Sequence, residues 1–156
     1  MMFIIKKISL VLAMILLFIP VNSHGQSGWM RETGVPTFMT FSGMSLVGIW
    51  TIDLINGEKI DKSDGLLKIK DKTTGQILMP HLIAEYSTGA CLLAGAYGLY
   101  AEKPWGKDVA MLGLGALMYT SMNSLSWVLT EKERYVYGIP MVFTLTGSGI
   151  SLVFLL

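Results

Sequence analysis

One cysteine, two histidines and a charged fraction of 15% are the scarcities of this 156-residue chain, and each excludes something. Cys91 alone cannot form an intrachain disulfide, a CxxC redox pair or a cysteine-rich zinc site, since each needs a second thiol. A formal net charge of +1, with no basic patch interleaved with aromatics, removes nucleic acid as a partner class. Phosphate-binding loops of the GxxxxGK type, GxGxxG, HExxH and GxSxG are all missing, so no enzyme is expected. No cofactor is expected either. If His24 leaves with an amino-terminal leader, His81 remains as a single histidine and cannot supply two axial haem ligands. His81 and Glu85 together are too few for a metal site, and none is assigned.

What the chain has in quantity is apolar surface, 52% of its residues. Its second half is a series of apolar blocks about 20 residues long, the length a helix needs to cross roughly 30 Å of hydrocarbon. Residues 1–25 read as a signal peptide: Lys6 and Lys7, an apolar stretch from Ile8 to Val21, then Ser23-His24-Gly25 before Gln26. An uncleaved amino-terminal anchor is the alternative. Residues 26–156 form the membrane domain, with spans expected at about 36–55, 81–100, 109–129 and 136–156. The fold class is thus an all-α membrane protein, a four-transmembrane-helix bundle.

Between the first two spans, residues 56–80 collect Lys59, Lys62, Lys68, Lys70 and Lys72 with Glu58, Asp61, Asp64 and Asp71. Leu67 and Ile69 alternate with lysines, and Lys72-Thr73-Thr74-Gly75 supplies a turn before Gln76 to Met79, which predicts a small β-hairpin at the membrane surface. Placing this loop in the cytoplasm puts nine Lys and Arg inside against Arg31, Lys103 and Lys107 outside. The expected location is the cell inner membrane, multi-pass.

The polar residues within spans carry the candidate site. His81 and Glu85 are four apart, on one helix face and about 6 Å apart along the axis. The third span descends to the same side and brings Asn123 to that depth, with Tyr119, Thr120 and Ser126 near the same stripe; Asp53 closes the first span there. An ionisable group within a span costs about 2.5 to 3.5 kcal/mol at mid-bilayer, so it faces a partner, water or a substrate path. Glu85, His81, Asn123 and Asp53 are accordingly the candidate proton or ligand site. Their structural use would be capping, pairing and interhelical hydrogen bonding. Gly89, Ala90, Ala94, Gly95 and Gly98, then Gly113, Gly115 and Ala116, then Gly147 and Gly149, let helix backbones approach.

Met79-Pro80-His81-Leu82-Ile83-Ala84-Glu85 with its Gly/Ala-rich continuation, Lys103-Pro104-Trp105-Gly106-Lys107, and Leu112 to Ser124 ending in Asn123-Ser124 give the chain a family likeness. Over about a third of its length it resembles small bacterial four-span integral membrane proteins of unknown function. The leader before residue 26 departs from their shorter pattern. The resemblance brings no activity with it.

Two functions follow as expectations. The first is an accessory, assembly or structural role in the inner membrane, with the lipid bilayer and either a second copy or another membrane protein as partners. The second is a proton-coupled small-solute carrier using an intramembrane Glu85.

Overall fold

The computed structural model describes residues 26–57, 72–130 and 135–156. The leader, the lysine-rich segment 58–71 and the charged link 131–134 lie outside the described residues, and so do the expectations placed on them. Four long helices follow one another: α1 Val35–Gly57, α2 Lys72–Tyr100, α3 Gly106–Thr130 and α4 Tyr135–Leu155. A short α-helical turn, Gln26–Trp29, and a π-helical turn, Met30–Gly34, lead into α1. The wide turn suits Pro36, whose ring crowds the carbonyl four residues back and whose missing N–H leaves a ladder bond unmade. The Val35 N–H reaches back to the Met30 carbonyl instead.

The fold is all-α, with no strand among the described residues. The expected hairpin is therefore corrected over its described half. Lys72 to Gly75, the expected turn, and Gln76 to Met79, the expected second strand, form the first two turns of α2. A short apolar run has no periodicity that separates strand from helix, and an isolated hairpin is marginal, whereas a helix satisfies its backbone hydrogen bonds within itself. Pro80 sits inside that helix and deprives the Gln76 carbonyl of its partner.

Each helix packs on its neighbour in sequence, while α1 and α4 meet sparsely. The meeting lies where Phe38 of α1 reaches α4, its ring 6.0 Å from that of Phe143 and pressed on Gly147. The helices thus form an arc drawn together at one end. That end holds the apolar core: Val35, Phe38, Met39, Leu92, Ala96, Ala110, Leu114, Leu117 and Leu155. Trp50 and Leu82, with Tyr86 against them, make a separate cluster toward the other end.

Glycine sets the spacing of the α2–α3 seam. A Cβ on Gly98 would lie 2.6 Å from the Gly106 Cα, and one on Gly95 would lie 2.7 Å from the Ala110 Cα. One on Gly113 would come 3.0 Å from the Leu92 nitrogen, so the two backbones touch over several turns. The α1–α2 register is pinned at two heights, by Thr37 Oγ1 to the Tyr100 hydroxyl at 2.8 Å and Thr51 Oγ1 to the Tyr86 hydroxyl at 2.9 Å. Ser121 Oγ and Thr144 Oγ1, 2.7 Å apart, join α3 to α4.

The link from α2 to α3 is a Schellman turn. The Lys103 N–H donates to the Gly98 carbonyl at 2.8 Å and the Glu102 N–H to the Leu99 carbonyl at 3.2 Å. This turn requires a left-handed residue, and Glu102 takes it with φ of 49°.

Segments Met30–Ile52 and Gly138–Leu155 are long and apolar enough to cross a membrane, and only 33% and 22% of these stretches are buried within the protein.

Three stability measurements in detergent check this packing and the turn. Gly98→Ala should lower stability by about 1 to 3 kcal/mol because its methyl meets backbone. Gly149→Ala, whose Cβ meets nothing within 4 Å, should be neutral or stabilising by up to about 1 kcal/mol. Glu102→Gly should stabilise by roughly 0.5 to 1 kcal/mol, since glycine takes the left-handed conformation without steric cost.

Candidate functional site

Glu85 lies on the face of α2 that meets α1 and is buried, 3% exposed. Its Oε1 is 3.6 Å from His81 Nε2, one turn back on the same helix. Across the seam, the Trp50 indole N–H of α1 donates to the Glu85 carboxyl. The Trp50 ring also stands edge-on to the His81 imidazole, centroids 5.4 Å apart. One tryptophan thereby holds both candidate residues, with its N–H on the acid and its ring against the base. One residue further along α2, the Tyr86 hydroxyl meets Thr51, which itself donates to the Val47 carbonyl at 2.6 Å. Glu85 Oε2 has no hydrogen-bond partner among the described residues, although it is fully covered.

Carrying the α2–α3 register of Leu92 and Gly113 onward by two turns sets Glu85 level with Thr120, which is buried. The Thr120 hydroxyl is already turned to its own Leu117 carbonyl at 3.2 Å.

Of the four residues expected to share a site, the structure brings His81 and Glu85 together. Asn123 has the expected depth and a different direction: it is exposed on the outside of α3, as are Tyr119 and Ser126. Asp53 lies in α1 one turn beyond Trp50, and its side chain is outside the described residues. Trp50 is the member that sequence reasoning missed. An indole N–H within a span and close in sequence to Asp53 is a usable signal, because buried tryptophan seeks an acceptor.

Among the described residues no group of three His, Cys, Asp or Glu side chains is placed to hold a metal. Chemically the cluster offers one carboxyl that can hold or release a proton, one imidazole beside it, and one fixed donor.

The family described as "Domain of unknown function (DUF8058)" matches residues 30–156. The chain belongs to this family. The matched region begins in the π-helical turn and takes in all four long helices, so the Glu85 cluster lies within the family domain. No curated protein and no solved structure matches the chain.

The Trp50–Glu85 contact can be weighed by a double-mutant cycle. Trp50→Phe should lower stability in detergent by about 1 to 3 kcal/mol, because a buried acceptor loses its donor. In a Glu85→Leu background the same change should cost at least about 0.5 kcal/mol less, and purely additive effects would refute the coupling.

Proposed function

We propose that this protein is a four-span helix bundle of the bacterial inner membrane, behind a signal peptide, with an accessory, assembly or structural role rather than a catalytic one. The observation that carries this reading is the glycine-set backbone contact of α2 with α3 between two outer helices whose surfaces are apolar and largely uncovered. By length α2, with 29 residues, spans about 43 Å and α3, with 25, about 37 Å, both more than the roughly 30 Å of hydrocarbon. Helices in such intimate contact with spanning neighbours run beside them through the same layer. The polar residues that make α2 and α3 less apolar are partly absorbed in the seams, as Glu85, Thr88, Thr120 and Ser121 are. The lysine-rich loop then faces the cytoplasm, on the balance of nine cations to three.

A sealed carboxyl supports a structural role over a transport path. Glu85 is closed over by Trp50 and His81, and Asn123 does not converge on it. The carrier remains as a second reading because one observation favours it: Glu85 Oε2 is covered without a partner, and such an atom is a place for a proton to come and go.

Membrane residence is checked by extraction. The protein should stay in the membrane fraction through alkaline carbonate and require detergent for solubility; a monodisperse preparation without detergent would overturn the reading. For orientation, in a Cys91→Ser background, Lys103→Cys should react with an impermeant maleimide on spheroplasts and Lys68→Cys should not. The role is checked in proteoliposomes with a trapped pH dye under an imposed potential. A structural protein shows the same proton entry for the native chain and Glu85→Gln, whereas a carrier loses it with the substitution.

A further inference from the structure

The outward faces of α1, α3 and α4 differ in chemistry. Ile139, Val142, Ile150 and Val153 on α4, and Phe41, Met44, Ile49 and Ile52 on α1, are exposed and bulky, a surface that hydrocarbon solvates well. The outward face of α3 runs Leu112, Gly115, Tyr119, Met122, Ser126 and Leu129, all exposed, at alternating three- and four-residue steps. Asn123 flanks it on the same side, and Gly115, Tyr119 and Asn123 form a ridge at four-residue spacing.

Two exposed hydroxyls, one on α4 and one on this α3 face, are satisfied locally, whereas no hydrogen bond among the described residues reaches the exposed Ser87 and Tyr97 hydroxyls of α2. Thr146 donates to the Val142 carbonyl at 2.8 Å, and Ser126 to the Asn123 carbonyl at 2.6 Å. No side-chain hydrogen bond among the described residues reaches the Asn123 amide or the Tyr119 hydroxyl, and Tyr119 is 71% exposed. Tyr119 stands near the middle of α3, and Asn123 about 10 Å from its end. Neither can be hydrogen-bonded by lipid tails. Gly115 adds an independent mark: a Cβ there would meet nothing within 4 Å, while Gly106 and Gly113 of the same helix are pressed on α2. Packing within one chain therefore uses two glycines of α3 and leaves the third facing outward.

We propose that this ridge of α3 is the contact with a second copy of the chain, the two related by a two-fold axis along the membrane normal. The inference rests on the membrane-spanning reading above and names the partner. A second copy fits because the face is self-complementary. The Asn123 amide carries both donor and acceptor and pairs with its own equivalent, as buried asparagines do across coiled-coil seams. Gly115 opens room for the facing chain's bulky ring. Between Asp108 and Leu129 the exposed face carries no charge that would call for an oppositely charged partner. A two-fold along the normal also keeps both copies in one orientation, as a single insertion topology requires.

Cysteine cross-linking in native membranes tests this, with Cys91→Ser as the background. Under a mild oxidant, Asn123→Cys or Tyr119→Cys should give covalent dimers, while Val153→Cys on α4 and Ile49→Cys on α1 should not. Dimers absent from both α3 positions, or equal at all four, overturn the interface. In liposomes, energy transfer between labelled chains should show Asn123→Leu associating about three- to tenfold more weakly than the native chain, with Asn123→Gln close to native. Unchanged association of Asn123→Leu also overturns it. Protein that carbonate extracts removes the membrane reading itself, whereas membrane-inserted protein that fails to cross-link removes the interface alone.

Discussion

Backbone contact between α2 and α3 is the constraint on which the remaining geometry depends. Where Gly98 meets Gly106 and Gly95 meets Ala110, no side chain separates the two helices, and even one added methyl would strike backbone. For a bundle that spans a membrane, as proposed above, the hydrophobic effect gives no reason for apolar helices to associate, so the close fit of atoms and the hydrogen bonds between helices have to supply it. This seam fixes the register of α2 against α3, and that register decides which residues share a level. Through it Glu85 comes level with Thr120.

The two ends of the bundle differ in make-up. At the end where α1 begins, Phe38, Met39, Leu92 and Leu114 close an apolar core, and Phe38 draws α4 toward α1. Toward the other end that core gives way to the smaller Trp50–Leu82 cluster and to the hydrogen bonds of Thr51 with Tyr86 and Ser121 with Thr144, while Thr37 and Tyr100 make a like bond at the first end. Glu85 belongs to the Trp50 end. Burial of a carboxyl is costly unless it is partnered, and Trp50 with His81 partners it incompletely, leaving Oε2 bare. Full burial speaks for a structural clamp, and the bare oxygen is what keeps proton chemistry in view.

Local rules made much of this legible. Apolar blocks of span length, broken by charged or glycine-containing links, indicate four helices because a helix closes its hydrogen bonds within its own segment. The same locality makes His81 and Glu85 neighbours, four residues apart on one rod. The hairpin expectation failed at Lys72 to Met79 for a related reason. Alternation over a few residues is weak, and the first turns of α2 need no partner strand.

Sequence by itself determined the helical elements, the small residues available for close packing and the pairing of His81 with Glu85. Only the tertiary structure decided which way each rod faces: Trp50 toward Glu85, Thr120 inward, Tyr119 and Asn123 outward. The reason is geometric. Successive residues turn by about 100° around a helix, so depth follows from counting along one chain, while direction is set by the neighbours that the helix is pressed against.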